Sequence, residues 1–138
     1  MSPSFYSVVH AIGAFFNVTI REEKGHAWFE IERNVKVLVA IVDDEPSLLL
    51  SISLGVLPEY FPKDILVQIL ISNQSISLLQ GPRFSYLENS NTLAITDSVE
   101  TEDVSEENIC LLIDSLITVA CEMKKTINEL GYTLSIRE

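Results

Sequence analysis

The sequence predicts an α+β two-layer sandwich: a mostly antiparallel five-stranded sheet with three helices, in the order α-βββ-α-ββ-α. Three observations carry this. Apolar residues recur at helical spacing near both ends of the chain. Between residues 27 and 54, three β-rich runs are separated by turns too short for a crossover, which makes them an antiparallel meander. A further hairpin pattern lies between the last two helices, so two amphipathic helices are available to cover one sheet face.

The first helix opens at Ser2, a capping residue, and Pro3, which suits the first helical position. Phe5, Val8, Val9, Ile12, Phe15 and Phe16 form its apolar stripe, and Asn17 ends it. "AWFEIE" (27–32) alternates, with Phe29 and Ile31 on one side and Trp28 on the other. Arg33-Asn34 links it to "VKVLVAIV" (35–42), whose odd positions are valine and isoleucine. "DDEP" (43–46) is a turn before "SLLLSISL" (47–54), in which Leu48, Leu50, Ile52 and Leu54 share a face. The second helix starts at Pro62 and runs to about Asn73, and "SISLLQGP" after it is irregular, with a turn at Gly81-Pro82. "RFSYLE" (83–88) and "TLAITD" (92–97) form the second hairpin. The last helix begins with Asp103 and Glu106 as a capping box, or with Ser105 as a rival cap. Ile109, Leu112, Ile113, Leu116, Ala120, Met123, Ile127 and Leu130 keep its period, and Gly131 stops it. The tail "YTLSIRE" is a frayed end or a short added strand.

With 138 residues, 47% of them hydrophobic and 21% charged, the chain suits one globular domain over 1–138. Its net charge of −11, from 9 basic and 20 acidic residues, argues against a nucleic-acid partner, which needs cations to displace phosphate counterions. It also disfavours docking on anionic membrane and suits basic or net-neutral protein partners. The start lacks a basic segment before Arg21, so it does not read as a secretory signal, and no apolar run approaches a membrane span. Cys110 and Cys121 lie three turns apart on one helix, roughly 16 Å, too far for a disulfide, and read as reduced thiols.

Catalytic patterns are not assembled in the sequence. His10 and His26 are the only histidines, and neither adjoins a nucleophile elbow. The acidic "DDE" (43–45) reads as a solvated turn. The acids of 97–107 lie near a helix N-terminus, where the dipole favours them, and no glycine is present for a calcium loop. The expectation is a non-enzyme with no metal and no cofactor.

Two apolar surpluses point to binding instead. Ile65, Leu66, Val67, Ile69, Leu70 and Ile71 encircle most of the second helix, yet a surface helix keeps a wet face. One side packs on the sheet. The other meets either a second copy across a two-fold axis, through Leu66, Val67, Leu70 and Ile71 with Gln74 at the rim, or the terminal helix of the same chain. The second surplus is on the sheet, where Trp28, Leu38, Ala40, Val42 and Leu49 face away from the helices. An extended peptide, the dimer partner or the second hairpin would cover it.

Together these features resemble the class I chaperones of type III secretion, the Tir-chaperone family. The local pattern is a strand ending in Leu54, Gly55, Leu57 and Pro58, then a helix with Ile65, Leu66, Ile69 and Leu70 that ends near Asn73. The resemblance implies a bacterial cytoplasmic homodimer joined through the second helix, with no cofactor, nucleic acid or membrane partner. It implies that the dimer binds the N-terminal chaperone-binding segment of a secreted effector protein in extended form, keeping it soluble and secretion-competent. Phe16, Trp28, Leu38, Ala40 and Leu49 would contact that cargo. The alternatives are a regulatory module of the same fold that sequesters a partner, and one subunit of a heterodimeric chaperone.

Overall fold

The computed structural model describes residues 5–31, 35–41, 47–60, 62–76, 82–100 and 105–134, with the side chains of 74–76 excepted. The elements are α1 (Phe5–Phe16), β1 (Arg21–Glu23), β2 (His26–Ile31), β3 (Val35–Ile41), β4 (Ser47–Val56), α2 (Lys63–Ile76), β5 (Arg83–Leu87), β6 (Thr92–Glu100) and α3 (Glu106–Glu129), with a 3₁₀ turn at Glu88–Ser90. The α+β class holds, but the sheet has six antiparallel strands, not five, in the order β1-β2-β3-β4-β6-β5. The Ser2–Pro3 cap, the Arg33-Asn34 link, Val42, the 43–46 turn, Gly81, Asp103 and residues 135–138 lie outside the described residues.

The additional strand is β1. All three of its residues are charged and exposed, so it carries no apolar alternation by which to be read. The turn that follows creates it. Lys24 and Gly25 have φ of 40° and 82°, the positive pair of a two-residue type I′ hairpin loop, and the chain folds straight back. Gly25 O accepts from Ile41 N at 2.9 Å, which fixes this turn to the end of β3.

Strand register explains the core. Phe29, Val37, Ile52, Ile95 and Phe84 form one row across β2, β3, β4, β6 and β5. All five are buried on the helix-facing side. Val8 and Ile12 of α1, with Ile109, Ile113, Leu116, Ala120 and Ile127 of α3, complete the same cluster. Ser7 Oγ donates to Glu106 Oε1 at 2.7 Å, tying the two helices. A β-bulge between Ser53 and Gly55 bends β4 as it leaves the sheet, with Gly55 at φ 139°.

The helix ends follow their sequence signals. Asn17, at φ 52°, closes α1, with Val18 N donating to Gly13 O at 3.1 Å. Ser105 caps α3 by accepting from Asn108 N at 3.2 Å. Gly131 and Tyr132 close α3 as a Schellman motif, donating to Asn128 O and Ile127 O. The second helix runs three residues past Asn73, to Ile76.

Asn73 itself performs a specific task. Its Oδ1 accepts from Phe84 N at 2.7 Å and its Nδ2 donates to Phe84 O at 3.2 Å. The side-chain amide therefore stands where a neighbouring strand would pair, and it holds α2 against the outer edge of β5. Asn73→Ala leaves both backbone groups without this partner. The expected cost is about 1–2 kcal/mol in urea unfolding, with faster hydrogen exchange at the Phe84 amide. Asn73→Asp sets a carboxylate oxygen against the Phe84 carbonyl, acceptor against acceptor, and should lose at least as much.

Candidate functional site

The second helix divides cleanly by its i, i+4 spacing. Ile65 and Ile69 are 0% and 8% exposed and face the core, whereas Leu66, Val67, Leu70 and Ile71 are 43%, 40%, 59% and 52% exposed. Leu66 and Leu70 form one column and Val67 and Ile71 the next, so the four make a contiguous outward apolar face. The terminal helix does not cover it. Gln74 follows on the same helix, its side chain outside the described residues.

The other site is the sheet face turned away from α1 and α3. Arg21, Trp28, Leu38, Ser51, Thr96 and Arg83 form one row across the six strands. Trp28 and Leu38, opposite each other, floor a cleft of about 720 Å³. That size suits a ligand-binding cleft. One rim comes from the β1–β2 turn, with Glu23, Lys24 and His26, and another from the end of the second hairpin, with Leu87, Ser90 and Thr92. Asn91 holds that hairpin end in place. Its Nδ2 donates to Leu57 O at 3.1 Å, and its Oδ1 accepts from Tyr86 Oη at 2.7 Å.

The predicted cargo residues therefore separate. Trp28 and Leu38 share the cleft, and Leu49 is exposed one row away. Ala40 occupies the outward position between His26 and Leu49 but is only 6% exposed, so it offers little surface. Phe16 is on the helix side, half-buried, with its ring 5.5 Å from that of Phe29. The structure does not bring Phe16 together with Trp28. Beside α1 lies a different groove of about 400 Å³, lined by Tyr6, Val9, His10, Val18 and Ile20. The cleft rim formed by Leu87, Ser90 and Thr92 escaped the sequence reading, because only the β4–β6 pairing brings the far-off second hairpin to Trp28.

Among the described residues the titratable groups offer no assembled reaction centre. His10 and His26 are both exposed, on different elements. Among the described residues no three His, Cys, Asp or Glu side chains are grouped to hold a metal ion. Burial pushes the Cys110 thiol above its ordinary value, and Glu106 and Glu107 add to the shift. Its thiolate fraction near neutral pH is correspondingly depressed. Iodoacetamide at pH 7.5 should therefore modify Cys121 well before Cys110, by at least about tenfold in rate, as read by peptide mass spectrometry.

One layered α+β fold thus presents both an apolar helix face and an apolar-floored sheet cleft. The Tir chaperone protein (CesT) family matches residues 8–124, and the chain belongs to that family, one of chaperones and not of enzymes. No curated protein sequence matches it. A chain of the HopA1-SchA chaperone-effector complex superposes with a TM-score of 0.69 at 15% identity, over 88% of this chain and 94% of that one. A chain of the ExsC-ExsE complex gives 0.65 at 16%, over 84% and 90%. A chain of the heterodimeric ExoU-SpcU complex from the type III secretion system of Pseudomonas aeruginosa gives 0.62 at 13%, over 83% and 92%. At these identities the likeness is one of fold. Among the described residues no helix is long and apolar enough to cross a membrane.

Proposed function

We propose that this chain is a cytoplasmic bacterial homodimer that acts as a class I chaperone of type III secretion. One domain over 1–138 binds the N-terminal segment of a secreted effector in extended form and keeps it soluble and ready for export. The observation that carries this is the pair of apolar surfaces on one small family member. Leu66, Val67, Leu70 and Ile71 supply the dimer contact, with Gln74 at its rim, and the Trp28–Leu38 cleft faces outward for cargo. Two apolar surfaces on one chain call for two kinds of partner, because a monomer seldom leaves either in water. A dimer carries two cargo clefts, and the area they jointly bury offsets the ordering entropy of an extended segment.

The test is affinity purification of the tagged chain from its native host, with mass spectrometry and light scattering on the eluate. The expected result is a dimer of this chain carrying one dominant secreted protein, protected from proteolysis only near its N-terminus. A monomer that elutes without such a partner would sink the proposal.

A further inference from the structure

Asn91 stands where the sheet ladder ends and the cleft wall begins. The β4–β6 pairing runs through Gly55–Leu93 to Val56–Thr92. The next position sets Leu57 against Asn91, and half of that pair is present, with Leu57 N donating to Asn91 O at 2.8 Å. The return bond is made differently. Asn91 adopts the left-handed region, φ 52° and ψ 38°, and its own N–H turns back to Glu88 O at 3.4 Å, closing the 3₁₀ turn. Its side-chain Nδ2 donates to Leu57 O instead, at 3.1 Å. The amide thus completes a strand pair that the backbone has given up. Its Oδ1 accepts from Tyr86 Oη at 2.7 Å, which ties the last residues of β5 to the same anchor.

Asn91 does not line the cleft, but its neighbours do. Ser90 and Thr92 flank it, joined by the bond from Thr92 Oγ1 to Ser90 O at 3.1 Å, and Leu87 precedes the turn. The body of the hairpin has a separate anchor in the Asn73–Phe84 pair. Its end is held to the corner between β4 and α2 through Asn91. We propose that Asn91 is the positioning residue of the cargo cleft: its side-chain amide fixes the wall of Leu87, Ser90 and Thr92 relative to the Trp28–Leu38 floor before cargo arrives. The proposal deepens the chaperone reading and rests on it for the identity of the occupant. A wall fixed in advance removes the cost of ordering it on binding. Asparagine suits the task because it tolerates the left-handed backbone and carries both a donor and an acceptor. Glycine would keep the turn and lose the anchor.

The test uses the full chain with Asn91→Gly, which leaves the backbone unstrained, and with Tyr86→Phe, which removes one partner of the amide. Trp28 is the only tryptophan in the chain, so acrylamide quenching of its fluorescence reports how well the cleft shields it. Both variants should quench with a steeper slope than the parent, Asn91→Gly the more. Asn91→Gly should also bind the N-terminal segment of the co-purified effector about fivefold more weakly, the scale of one side-chain hydrogen bond. A positioning residue acts through the wall, so in a Leu87→Ala background Asn91→Gly should cost less affinity than it does alone, whereas a general loss of stability would add in full. An unchanged quenching slope in both variants would overturn the proposal. That measurement needs no cargo, so it leaves the chaperone reading standing. A steeper slope with unaltered effector affinity, or losses that add fully with Leu87→Ala, would overturn the proposal as well.

Discussion

Leu70→Asp is expected to convert the proposed dimer into folded monomers at micromolar concentration. Leu70 is 59% exposed in the single chain, so a carboxylate there costs the monomer little. Across the proposed two-fold axis the same change would bury two like charges in an apolar contact that offers them no partner. The expected weakening is at least a hundredfold, ~3 kcal/mol. Sedimentation velocity distinguishes the two species, and the far-ultraviolet circular dichroism should not change. An unaltered sedimentation coefficient would move the dimer contact off this helix face. Leu66→Asp should act in the same direction, because Leu66 and Leu70 stand in one column. Ile65→Asp should instead unfold the chain, because Ile65 is fully buried in the core.

Trp28→Ser is expected to lower cargo affinity by about thirtyfold, ~2 kcal/mol, while moving the melting temperature only slightly. Trp28 is half-buried on the outer sheet face, back to back with the row that holds Phe29 and Val37. Removing its ring empties the floor of the cleft and leaves the helix-facing core untouched. Isothermal titration with the co-purified effector segment measures the first effect, and a thermal melt of the free protein the second. Equal losses in both would place Trp28 among the core residues.

The sequence is most legible where burial is one-sided. Period-two alternation in 47–54 located β4 and gave the inward set Leu48, Leu50, Ile52 and Leu54, all buried. Helical spacing found the inward sets of α1 and α3 except at Phe15 and Leu130, which share those stripes yet are exposed. The end signals at Asn17, Ser105 and Gly131 act as their chemistry requires. The four outward residues of α2 were legible as a surplus, because no single contact surface can hide apolar side chains around a whole helix. Reading failed at β1, where three exposed charged residues pair only because a type I′ turn brings them alongside β2. It also failed at Asn73, whose role as a stand-in strand on Phe84 depends on how α2 lies against β5.

Local patterning alone therefore determined the element order apart from β1, the face that each apolar strand turns inward, and the existence of two apolar surfaces that this chain cannot bury by itself. These properties depend on neighbours three or four residues apart along a helix, or two along a strand. Only the tertiary structure decided which outward residues meet. It placed Phe16 on the helix side, shielded Ala40, and closed the cleft with Leu87, Ser90 and Thr92 from a distant hairpin. Strand order and register set those distances, and they arise from the packing of the whole sheet on α1 and α3, which no short window of sequence contains.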